Sequence, residues 1–155
     1  LGDSNRAEKH LRKVLDIDPA DEDAFDIISQ VCRTSGDLEL LVELLEAALR
    51  QNLPKPRNIK LLNELGRLLW HELHDLERAA DVYRRLRSLA PRNLEALGFF
   101  EHCYEKDGDW KRLYNTLSQR LSLELSDVGR ASVAKRMAVL ASAESGTARE
   151  SFHFP

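Results

Sequence analysis

The sequence predicts an all-α protein built as a solenoid of antiparallel helix pairs, with about eight helices. Three observations carry this reading. The chain repeats itself at an offset of 72 residues: Ala7, Leu11, Val14 and Pro19 recur as Ala79, Tyr83, Leu86 and Pro91. A second run follows the same offset. Phe25, Ile28 and Cys32 fall on Leu97, Phe100 and Tyr104, and Leu41, Leu45 and Leu49 fall on Leu113, Leu117 and Leu121. Finally, Gly36-Asp37 and Gly108-Asp109 separate runs whose apolar residues recur at three- and four-residue steps. Such a pattern describes a helical hairpin with a tight turn. Each block holds two hairpins of about 34–38 residues, a period typical of helical solenoids.

The elements follow in order. A helix over 4–17 carries Ala7, Leu11 and Val14 on one stripe and stops before Pro19. It is a second-of-pair helix with no first helix before it. Asp21 caps the next helix, 22–34, whose mate is 38–51. The linker Leu53-Pro54-Lys55-Pro56-Arg57 is too short to separate domains. Helix 58–73 pairs with 76–89, which Asp75 caps and Pro91 ends, since proline cannot continue a helix. Helix 94–107 pairs with 110–124. The hairpins thus span about 22–52, 58–90 and 94–124. A last helix over 127–143 starts near Ser126 or Asp127 and has no clear mate. Its larger residues, Val133, Met137 and Leu140, either finish the core or face outward while Ala134, Ala138 and Ala141 pack inward. Residues 1–145 read as one repeat domain and 146–155 as a loosely ordered tail. The only methionine is Met137, so Leu1 reads as an internal or processed start and the chain as an excerpt of a longer array.

Leu65-Gly66 in the first helix of a pair, then Ala79, Tyr83, Leu86 and Pro91 around the second, resemble the tetratricopeptide repeat. The match is degenerate but covers nearly the whole chain. Leu41 and Leu113 stand where that family prefers alanine, Leu53-Pro54 is displaced by one residue, and the turn from Glu72 to Asp75 is one residue longer than usual. The resemblance implies a right-handed superhelix with a concave groove lined by the first helix of each pair.

Composition excludes several classes. Hydrophobic residues make up 43% and charged residues 32%, which suits a surface-rich helical protein rather than a disordered one. No apolar run approaches the ~18 residues of a membrane span, so no membrane insertion is expected. Arg84, Arg85, Arg87 and Arg92 form a basic cluster, but Glu77 and Asp81 interrupt it and the net charge is −3. Nucleic-acid binding needs a basic surface, so the cluster reads as a solvated outer face. Cys32 and Cys103 lie two hairpins apart and read as thiols in a reducing compartment, the cytoplasm.

Chemistry is sparse. His71-Glu72-Leu73-His74 has histidines three apart, not the four that places two ligands on one helix face around a glutamate. Asp107-Gly108-Asp109 reads as a helix cap rather than a calcium loop. No phosphate loop or nucleophile constellation stands out, so we expect neither an enzyme nor a cofactor or metal.

What remains is binding of a protein or peptide. Carried over from the resemblance, the groove positions are Asp26, Gln30 and Arg33, then Lys60, Asn63, Arg67 and Trp70, then Phe99, His102 and Lys106. Gly98 would permit close approach of a ligand, and Lys135 and Arg136 extend the set onto the last helix. Trp70 is either a groove contact or a core residue. Of the neighbouring Phe99 and Phe100, Phe99 is expected to point away from the core. Family members that hold chaperone tails clamp a terminal carboxylate with Lys and Asn. The matching positions here are Asp26, Ile27, Gln30, Glu95 and Phe99, so a tail receptor of that kind is not expected. A second reading is a self-association module, a homodimer formed through 127–143 or the unpaired ends. A third is a regulatory segment of a larger enzyme.

Overall fold

The computed structural model of the chain describes residues 2–151, with side chains placed for 5–146. Eight α-helices and no strand occur among the described residues: α1 Gly2–Ile17, α2 Glu22–Ser35, α3 Leu38–Leu49, α4 Lys55–Arg67, α5 Leu76–Leu89, α6 Leu94–Asp107, α7 Trp110–Leu123 and α8 Asp127–Ser151. A π-helical turn, Leu68–Glu72, continues α4. The helices gather into two units, one ending at Pro91 and the other beginning at Arg92.

The helix starts follow from the sequence. A short side-chain oxygen before a helix satisfies a backbone N–H that has no partner within it. Asp21 accepts from the Ala24 N–H at 2.8 Å, Asp75 from Arg78 at 3.0 Å and Asn93 from Ala96 at 3.0 Å. Asp37 and Asp109 do the same for α3 and α7, each at 3.2 Å. The preceding Gly36 and Gly108 are left-handed, with φ of 78° and 70°. A β-carbon is strained there, which is why both turns carry glycine.

Two boundaries differ from the sequence reading. Helix α4 begins at Lys55 rather than 58, because Pro56 sits in its first turn, where a missing N–H has no consequence. Helix α8 continues through Ser151, past the expected end at 143, so the expected tail is helical as far as it is described; 152–155 lie outside the described residues.

In the first unit the stripes close on one another. Ile28, Leu41, Leu45, Leu61, Leu62 and Leu86 are fully buried. Each such side chain contributes roughly 1.5–3 kcal/mol before the entropy of ordering is subtracted. Gly66 faces Tyr83 so closely that a β-carbon at Gly66 would stand 2.6 Å from the ring's Cζ. The Leu-Gly pair therefore makes room for the aromatic of the second helix. The extra residue between Glu72 and Asp75 is taken up inside the helix. The Leu73 N–H donates to the Leu68 carbonyl at 3.0 Å, a five-residue span, and His74 then takes a positive φ of 54°. A π-turn is the usual way for a helix to absorb one residue.

In the second unit Leu113, Leu117 and Val133 form one buried cluster of the core, with Tyr104, Leu121, Met137 and Leu140 packed around them. The larger stripe of α8 thus finishes the core, and Ala134, Ala138 and Ala141 are exposed. Glu101 is buried, and it is ion-paired to Arg120 at 2.7 Å and Arg136 at 3.2 Å. These pairs tie α6 to α7 and α8.

Candidate functional site

Two side-chain bridges set α2 beside α4. Glu22 meets Arg57 at 3.4 Å, near the starts of both helices. Arg33 donates to Glu72 at 2.6 Å, at the end of α2 and in the π-turn after α4. Start meets start and end meets end, so the two helices run parallel. A second bridge works in the same sense one layer away. The Arg78 guanidinium of α5 reaches Glu39 of α3 at 2.7 and 3.1 Å, and Asp75 at 2.7 Å.

Between α2 and α4 lies a cavity of about 320 Å³ lined by Arg33, Lys60, Asn63, Glu64, Arg67 and Glu72. Residues three and four apart share a helix face, which brings Lys60, Asn63, Glu64 and Arg67 to one side of α4. Three cations and two carboxylates therefore meet in one open space. Arg33 is engaged by Glu72, whereas Lys60 has no ion-pair partner among the described residues.

A wider groove of about 700 Å³ lies between α1 and α2, lined by Glu8, Asp26, Ile27, Gln30, Val31 and Thr34 among others. Ile27 is 53% exposed there. In the second unit a cavity of about 260 Å³ is lined by Glu105, Leu113, Lys135, Arg136, Val139 and Leu140.

No protein-family model and no curated protein matches the sequence. Among solved structures the chain is similar to YrrB, described as a TPR protein with an unusual peptide-binding site. The TM-score is 0.60, with 20% identity over 93% of this chain and 71% of that one. The fold is a TPR-like helical repeat.

In the TPR-like frame α2, α4, α6 and α8 are the first helices of pairs, and α1, α3, α5 and α7 the second. The structure brings together four of the expected groove residues, Arg33, Lys60, Asn63 and Arg67, in the α2–α4 cavity. Asp26 and Gln30 lie instead in the α1–α2 groove. Trp70 is half-buried, stacked on His71 at 4.1 Å and edge-on to Tyr83 at 6.0 Å. It is therefore part of the packing of the α4–α5 hairpin. His102 and Lys106 are exposed on α6.

Two expectations are corrected. Phe99 does not point away from the core. It is fully buried, more so than Phe100 at 7%, and the two rings meet edge-to-face at 5.5 Å. Two adjacent aromatics on a helix differ by about 100° in direction, and a buried arc of that width holds both. Gly98 does not offer an open approach either, because the Arg120 guanidinium would lie 3.3 Å from a β-carbon there.

Sequence reasoning missed Glu72, Glu64 and the Glu101 cluster. Apolar spacing assigns Glu72 to a turn. One inserted residue rotates the rest of the helix by about 100°, and sequence spacing alone does not register that. Glu64 was available from its spacing to Lys60. His71 and His74 serve the backbone and Trp70: one ring stacks on the indole and the other residue turns the chain. Cys32 is a buried thiol, its pKa raised chiefly by burial, and Cys103 is a half-buried one. No helix among the described residues is long and apolar enough to cross a membrane.

Proposed function

We propose that the chain is a non-catalytic protein-interaction module that holds an extended peptide or helix of a partner on its first-of-pair helices. The observation that carries this is the convergence of Arg33, Lys60, Asn63 and Arg67 on one cavity between α2 and α4. The peptide-binding site named for YrrB lends support by analogy of fold. In our reading Lys60 and Arg67 receive a carboxylate of the partner and Asn63 holds its backbone. Glu64 and Glu72 reject a purely acidic segment, so the partner segment is of mixed charge. Charged groups that meet across such a surface set specificity and encounter rate more than raw affinity.

The test is fluorescence anisotropy with a panel of labelled extended peptides, each carrying one acidic and one basic residue at varied spacing. Lys60→Glu and Arg67→Glu should each weaken the best binder by about tenfold or more, the scale of a broken charge-assisted bond. The melting temperature should stay unchanged, because both side chains are exposed. Equal affinity in both variants would remove the cavity from the binding surface.

A further inference from the structure

Two arginines of the first unit hold carboxylates on other helices, and they hold them differently. Arg78 uses its whole fork. Its two Nη atoms meet the two oxygens of Glu39 at 3.1 and 2.7 Å, and its Nε meets Asp75 at 2.7 Å. Arg33 makes a single bond. One Nη donates to one oxygen of Glu72 at 2.6 Å, and the other guanidinium nitrogens have no acceptor among the described residues. The second oxygen of Glu72 has no donor among them either.

That single bond stands beside an open space. Arg33 and Glu72 both line the α2–α4 cavity with Lys60 and Arg67, and each of the two side chains keeps 37% of its surface exposed. An exposed ion pair is worth little in water. An arginine that takes a carboxylate through two parallel bonds gains both energy and fixed geometry. An incoming carboxylate can therefore replace the Glu72 bond with a better one.

Closing the hairpin does not require an acid at this position. Counting back three residues from the capping aspartate gives Thr34 at the α2–α3 turn and Lys106 at the α6–α7 turn, against Glu72 here. Glu72 also ends the π-turn after α4, and such turns are frequent at functional sites.

We infer that Glu72 is an internal stand-in for the partner's carboxylate. In the free chain it holds Arg33. On binding, the partner's carboxylate takes the Arg33 fork, and the released Glu72 receives the basic residue of the same segment. This rests on the reading of the α2–α4 cavity given above and adds a competitor built into the site. One internal pair is exchanged for two pairs with the partner. A segment with an acid but no base breaks the internal pair and leaves Glu72 alone, so Glu72 sets the demand for mixed charge.

The test combines Glu72→Gln and Arg33→Gln with fluorescence anisotropy. The probes are the tightest mixed-charge peptide of the panel and a copy whose basic residue is made neutral. Wild type should prefer the mixed-charge peptide. Glu72→Gln should bind the acid-only copy about three- to fivefold more tightly than wild type does, the scale of an exposed ion pair. It should also lose the preference between the two peptides. Adding Arg33→Gln should abolish the gain. Circular dichroism checks that the helices are kept, and Glu72→Ala repeats the test with the side chain removed. No gain in either Glu72 variant, or a gain that survives Arg33→Gln, would overturn the inference. If Lys60→Glu and Arg67→Glu still weaken binding in that case, the cavity reading stands without it. A panel that binds neither wild type nor Glu72→Gln would overturn both.

Discussion

Gly66 sets how closely α4 and α5 approach. A methyl group there would drive into the Tyr83 ring, which is buried on all sides and has nowhere to move. Gly66→Ala gains about 1 kcal/mol of helix propensity, yet overpacking of a rigid ring costs about 3. We expect a net loss of ~2 kcal/mol, read as a lower urea midpoint at unchanged m-value. At another residue, Arg78, charge dominates. Side-chain bonding from Arg78 holds the Glu39 carboxyl below the usual carboxylate range, and the Arg78 backbone N–H, then its guanidinium, does so for Asp75. The folded chain therefore binds fewer protons than the unfolded one near these pKa values. The stabilisation from this cluster is full above about pH 5 and is lost as pH falls through the lowered values. Arg78→Ala should flatten the fall of stability between about pH 5 and pH 2; an acid limb identical to wild type would show that the three groups are not coupled.

At the scale of elements, the junction of α4 and α5 is where the local rules bend. His74 sits at positive φ, a region where a β-branched residue pays about 1–2 kcal/mol. We expect His74→Val to lose roughly that much and His74→Gly to keep wild-type stability, both by chemical denaturation. The two outcomes reversed would mean that the turn rearranges. This junction also shows where the sequence stops being readable. Apolar spacing, the Asp caps, the prolines and the two glycine turns placed all eight helices, because each signal acts within a turn or two of chain. The extra residue before Asp75 was visible as a length. Its absorption into a π-turn, which carries Glu72 to Arg33, depends on packing against α2 and has no local signature. The same holds for the arc that buries both Phe99 and Phe100, and for Glu101, whose burial makes sense only once Arg120 and Arg136 come in from two other helices. The basic half of the candidate site on the first unit came from the family resemblance, Glu64 lay within reach of helical spacing from Lys60, and Glu72 did not.

For the molecule as a whole, stability and binding trace back to the stacking of helix pairs. In the first unit that stacking places α2 and α4 side by side, and Leu45 has no exposed surface within it. Leu45→Asp should unfold the first unit, because an unpaired buried carboxylate is far costlier than the lost leucine contacts. Loss of helical signal on a thermal scan would report it. The surface we propose for a partner is the charged α2–α4 cavity, which on that reading takes a segment of mixed charge. The most direct measurement is backbone amide chemical-shift mapping by NMR during titration with the best peptide of the panel. We predict that shifts concentrate at Arg33, Lys60, Asn63, Arg67 and Glu72. Shifts centred on the outer face at Arg84 and Arg85, with the α2–α4 residues silent, would contradict it.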